Sequence, residues 1–160
     1  CPGIRVGYLV GPAALIADIA KLATNTYISP NMVAQSIVHE FCASGAIDGS
    51  IATVKAALAE RVQVLTAALA EHLPDARYVA PEGGYFMWVE LPEGTRVDAL
   101  LAAAADRGVA FVKGTDFLME GGENTLRLAY SGVTADRIGE GVVRLADAYR
   151  AVSAEASAAR

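Results

Sequence analysis

Arg127 sits inside an apolar, strand-like run, Leu126-Arg127-Leu128-Ala129-Tyr130. A guanidinium keeps its charge in any protein environment, and an unpaired buried charge is costly. No carboxylate close by in the sequence is an obvious match. A ligand carboxylate would suit it, because the planar fork of N–H donors pairs bidentately with two oxygens. Strand alternation allows Arg127 to face inward, where it needs such a partner, or outward into solvent, and the pattern alone favours neither. Arg5 opens a second strand-like run, Arg5-Val6-Gly7-Tyr8-Leu9-Val10, behind the turn Pro2-Gly3. A basic residue at a strand start is ordinarily solvated, and on pattern alone that is the expectation for Arg5.

The other chemically capable residues invite plainer readings. His39 and His72 are far apart and have no cysteine or carboxylate at metal-ligand spacing, which argues against a zinc or iron site. Cys1 and Cys42 are too few for a disulfide framework in a chain of 160 residues. Lys21, Lys55 and Lys113 are the only lysines, and none lies on a short loop between strands where a Schiff base would be desolvated. Tyr27 is expected to cover a helix end, and Asn124 to belong to a loop. The run Gly83-Gly84-Tyr85-Phe86-Met87-Trp88 reads as a turn into an aromatic strand, with core packing for at least one face.

Hydrophobic residues make up 54% and charged residues 19%, enough to fold around a core rather than remain disordered. The net charge of -5 offers no basic stripe for a nucleic acid, so none is expected as a partner. No apolar run reaches the ~18 residues a membrane span needs. The start lacks a signal peptide and an initiator Met and reads as an internal cut. A reducing, cytoplasmic setting is expected.

The elements follow from period and punctuation. Arg5 to Val10 reads as a strand and Ala13 to Ala23 as a helix. Ser29-Pro30 reads as the start of a helix running to about Ser44 and stopped by Gly45. Asp48 is expected to cap a long helix with the stripe Ile51, Val54, Leu58, Val62, Leu65, Leu69 and Leu73, ended by Pro74. At about 25 residues it would be about 38 Å long, at ~1.5 Å per residue, and could join two domains. Strands then follow at Arg77–Ala80 and Tyr85–Leu91, a helix at Val97–Arg107 ended by Gly108, and strands at Val109–Val112 and Thr125–Tyr130. Lys113 to Glu123 is a glycine-bearing loop. Thr134 should cap a last helix with the apolar face Ile138, Val142, Leu145 and Tyr149, and the tail from Ser153 should fray. The second half is thus a layer of helices on a small sheet.

Three segments together resemble the class I/II aminotransferases, which are fold-type I enzymes dependent on pyridoxal 5'-phosphate (PLP). Pro2-Gly3-Ile4-Arg5-Val6-Gly7-Tyr8 resembles the stretch after the family's Ser-x-Ser-Lys motif. Pro81-Glu82-Gly83-Gly84-Tyr85-Phe86-Met87-Trp88 resembles its P-x-G-G-x-F-x-W strand entry. Asn124-Thr125-Leu126-Arg127-Leu128-Ala129-Tyr130-Ser131 resembles its LRL strand. The order is colinear, and the nearest flavour is the 2-aminoadipate and multi-substrate subgroup, which also supplies the effector domain of MocR-type regulators. Lys113-Gly114 departs from the Pro-Gly of many members, in a loop that lines the family's cleft.

The resemblance implies an α/β fold comprising the C-terminal portion of a fold-type I transferase. Residues 1–47 would be a remnant of the large PLP-binding domain, 48–74 an interdomain helix, and 75–155 a small α+β domain. It implies that Arg5 grips the cofactor phosphate and Arg127 the substrate α-carboxylate. The lysine that carries PLP would fall just upstream of Cys1, so this chain alone is expected to be inactive. The implied activity is transamination between an α-amino acid and a 2-oxo acid by a cytoplasmic homodimer. A MocR-like effector domain, or a lyase on the same scaffold, is the alternative. Residues that read the substrate side chain would lie largely upstream.

Overall fold

A computed structural model describes residues 2–158. They form two compact units, one ending at Thr53 and the other beginning at Val54. Cys1 lies outside the described residues.

The first unit starts with a 3₁₀ turn at Pro2–Ile4 and continues into α1 (Ala13–Thr26) and α2 (Met32–Ala43). The run from Arg5 to Val10, expected as a strand, is not one. A strand exists only where a neighbour supplies backbone partners, and the described sheet contains no strand from this unit. Helix α2 also starts later than expected. Asn31 caps it, its Oδ1 accepting from the Ala34 backbone N–H at 3.1 Å, instead of Ser29 with Pro30 inside. Asparagine and serine cap comparably well, and the left-handed Ile28 (φ 67°) redirects the chain just before Ser29. Gly45, at φ 76°, closes α2 as expected.

Helix α3 spans Ala46–His72. It starts straight after the glycine, so Asp48 lies in its first turn rather than at its cap, where a negative charge still meets the positive end of the helix. The apolar stripe is buried only towards its end. Leu65, Leu69 and Leu73 are in the core and Leu58 and Val62 flank it, while Ile51 and Val54 are exposed. Each fully buried leucine contributes about 1.5–3 kcal/mol.

The second unit is a four-stranded antiparallel sheet of β1 (Arg77–Tyr78), β2 (Phe86–Glu90), β3 (Val112–Lys113) and β4 (Thr125–Ala129), in the order β1-β2-β4-β3. Helices α4 (Val97–Ala105) and α5 (Ala135–Ala158) complete it. Register decides the two faces. Met87 opposes Leu128 and Val89 opposes Leu126, and these four join Leu69, Leu100 and Leu145 in one core. The alternate residues Phe86, Trp88 and Arg127 take the other face. Thr134 directly precedes α5, its carbonyl accepting from Ile138 N–H at 3.1 Å. The Thr134 hydroxyl holds the Asp136 carboxyl below its usual range. The tail from Ser153, expected to fray, continues α5 to Ala158 among the described residues, in keeping with the high helix propensity of its alanines.

Candidate functional site

The site is built on the sheet face away from the helices. In β4, Thr125 and Arg127 point to this face, and Leu126 and Leu128 point into the core. Arg127 therefore faces neither the apolar core nor open water. Its direct neighbours are Trp88 on β2 and Val112 on β3. Its guanidinium carbon lies 3.9 Å from the centre of the Phe86 ring and 4.4 Å from that of Phe117. Trp88 in turn meets Phe117 edge-on, with ring centres 6.0 Å apart and planes at 72°. Arg127 Nε is buried and has no hydrogen-bond partner. A buried donor left unmatched costs about 1–3 kcal/mol. The cation is thus in contact with rings, which do not take up its N–H donors.

Phe117 reaches this place through a tightly anchored loop. A 3₁₀ turn at Gly114–Asp116 follows β3, and Gly114 packs directly on Thr125. A methyl group added at Gly114 would fall 1.7 Å from Thr125 Oγ1 and 2.9 Å from Thr125 Cβ, so only glycine fits. Thr125 is buried and its hydroxyl donates to the Gly122 carbonyl at 2.9 Å, with Gly122 itself left-handed at φ 85°. Asn124 closes the same loop: its Nδ2 donates to the Leu91 carbonyl at 2.7 Å and its own carbonyl accepts from Leu91 N–H at 2.8 Å.

The aromatic turn has a comparable lock. Tyr130, buried at the end of β4, donates its hydroxyl to the Gly84 carbonyl at 2.9 Å, and burial pushes that hydroxyl's pKa up. Gly84 is left-handed at φ 85°, which turns the chain into β2 and aims Phe86 at Arg127.

Lys113 does not serve this face. It opposes Leu126 in the register, and its Nζ donates to Asp98 on α4 at 2.7 Å. That hydrogen bond and charge lower the Asp98 pKa and raise that of Lys113. Lys113 thus ties the edge strand β3 to α4. Lys21, Lys55, His39 and Tyr27 are all exposed on or beside helices. No group of three metal-ligating side chains occurs among the described residues, and no described helix is long and apolar enough to cross a membrane.

Arg5 belongs to the first unit and Arg127 to the second. It is exposed, adopts a left-handed backbone (φ 58°), and has no carboxylate partner among the described residues. A non-glycine residue in that region is uncommon and directs its side chain away from the path of an extended chain.

Sequence reasoning missed Phe117, which stood in a loop without a pattern, and expected core packing for at least one face of the Gly83–Trp88 run without saying which residues take it. The GGYFMW alternation did show that one face of β2 would be buried and the other not.

The sheet and the ring-held arginine define a recognisable class. The sequence matches the family model for aminotransferases of class I and II over residues 1–145, and the chain belongs to that family. It is 34% identical to the 2-aminoadipate transaminase of Thermus thermophilus over 155 residues, 96% of this chain and 39% of that protein. The crystal structure of an alpha-aminoadipate aminotransferase from Thermus thermophilus, complexed with N-(5'-phosphopyridoxyl)-L-leucine, superposes with a TM-score of 0.90. It shares 34% identity with this chain, and the match covers 96% of this chain and 40% of that one. An HTH-type transcriptional regulator of Rhodobacter capsulatus is 31% identical over 93% of this chain and 31% of its own length. The chain therefore spans about 40% of the length of the aminotransferases it matches. Its mixed helix–sheet architecture is that of a C-terminal portion of the fold-type I aminotransferase fold.

Proposed function

We propose that the whole protein is a PLP-dependent aminotransferase that moves an amino group between an α-amino acid and a 2-oxo acid. The observation that carries this reading is Arg127, a ring-held guanidinium with a buried and unpartnered Nε on the open face of the sheet. Such a group matches the one feature common to every substrate of the reaction, the α-carboxylate. Its role is to bind that carboxylate and fix the orientation of the attached carbon. Arg5 would hold the cofactor phosphate. PLP, when bound, supplies the electron sink for the substrate carbon. Lys113 is paired with Asp98, and Lys21 and Lys55 are exposed on helices, which supports the reading that the Schiff-base lysine is none of these three.

In this reading, residues 1–47 belong to the large domain, 48–74 form the interdomain helix and 75–155 the small domain. The C-terminal part of that helix is built into the core of the second unit. A cytoplasmic homodimer completes the picture. The similarity to an HTH-type regulator supports a second reading, an effector domain that binds PLP and an amino acid without turnover.

The test uses the whole protein, incubated with PLP, a panel of amino acids and 2-oxoglutarate, with products read by mass spectrometry. Transfer of the amino group is expected. Retention of PLP and amino acid with no transfer across the panel would favour the effector reading instead.

Arg5→Ala should weaken PLP retention. A hydrogen bond to a charged group contributes about 1.5–3 kcal/mol. Arg5 is exposed in its own unit, so the low end applies, about a tenfold loss. Equilibrium dialysis checks it, and unchanged PLP affinity would remove Arg5 from the phosphate site.

A further inference from the structure

We propose that Phe86 and Phe117 are positioning residues that hold the edge of Arg127 towards an incoming carboxylate. The inference rests on the carboxylate role proposed for Arg127 and adds what makes that role geometrically selective. A guanidinium donates only in its own plane, while its faces are poor hydrogen-bonding surfaces that favour aromatic rings. Here the guanidinium carbon lies over two rings from different parts of the chain, 3.9 and 4.4 Å from their centres. They restrict rotation of the group without consuming a donor. No described residue is seen to accept a hydrogen bond from the guanidinium, and Nε, one of its donors, is buried without a partner.

The two rings are independently fixed. Phe86 sits on β2, paired in register with Ala129 and placed by the Gly84 turn that Tyr130 fastens. Phe117 is carried by the loop clamped at Gly114, Thr125 and Gly122, and is braced by Trp88 from the side. Neither ring needs a ligand to take its place. A planar carboxylate entering along the guanidinium edge can form two parallel hydrogen bonds, whereas a neutral amide presents one acceptor oxygen and donors that oppose the N–H groups.

The whole protein is used, loaded with PLP, in the forms Phe117→Leu, Phe117→Tyr, Phe86→Leu and Phe86→Tyr, with Arg127→Ala as control. Calorimetry measures the binding of 3-phenylpropanoate and of its neutral analogue 3-phenylpropanamide, and steady-state kinetics separate KM from kcat. Each leucine variant should weaken the carboxylate several-fold, up to about tenfold, the scale of one lost cation–π contact. The amide should be unaffected, KM should rise more than kcat falls, and each tyrosine variant should restore binding because it keeps the ring. Equal losses for carboxylate and amide, or tyrosine variants as weak as the leucine ones, would show that the rings only pack, and would overturn the proposal. So would unchanged carboxylate affinity in both leucine variants. If Arg127→Ala alone weakens the carboxylate, the ring proposal falls and the arginine's role stands. If Arg127→Ala has no effect, the carboxylate reading falls with it.

Discussion

Arg127→Ala in the whole protein should lower kcat/KM for α-amino acids by about 2–5 kcal/mol, the range for truncating one member of a buried charged pair. That is roughly 30-fold to a few thousand-fold. The loss combines the missing fork with the cost of leaving a substrate carboxylate unmatched between aromatic rings. It should be similar for amino acids with different side chains, because the α-carboxylate is common to all. Arg127→Lys should recover only part of it, since an ammonium is a point charge and cannot pair along an edge. Thermal stability is a separate readout: Arg127 forms no ion pair with a described residue, so the fold should lose little when it is removed. Near wild-type efficiency for several amino acids would rule out the carboxylate role.

Gly114→Ala should destabilise the second unit by about 1–3 kcal/mol, towards the upper end of the usual overpacking range. The added methyl would overlap Thr125 Oγ1 at 1.7 Å and crowd Thr125 Cβ at 2.9 Å. Thr125 has little room to yield. It is buried, β-branched and bonded to the Gly122 carbonyl. The loop must then lift, and Phe117 lifts with it. A lower midpoint in chemical denaturation should therefore accompany weaker carboxylate binding in the same variant. A midpoint equal to wild type would mean that the loop has slack the structure does not show. Weakened stability with intact binding would separate the loop's anchoring from the placement of Phe117.

The elements of the second unit were largely legible because their signals are local. Alternation in GGYFMW and in TLRLA set β2 and β4, and the spacing of Leu65, Leu69 and Leu73 set the buried end of α3. Arg5–Val10 misled because a strand is a property of a pair, and strand-forming residues carry no record of whether a partner is present. Ser29-Pro30 misled because Asn31, two residues on from that serine, is an equally good cap. At the site, Arg127 could be singled out by its type in an apolar run, but its face could not. Register with Trp88 and Val112 decides that, and register depends on residues about 40 positions upstream and 15 away. Phe117 was invisible for a related reason. Its contact with Arg127 exists only because Gly114 and Thr125 bring a patternless loop back across the sheet.

The rings around Arg127 also have a thermodynamic consequence. A free arginine side chain carries about 2 kcal/mol of rotamer entropy, which a flexible surface arginine surrenders when it captures an anion. Here that freedom is lost when the sheet and its loop assemble, before any ligand arrives. Anion capture at this position is thereby relieved of an ordering cost, and the folding free energy of the second unit carries it instead.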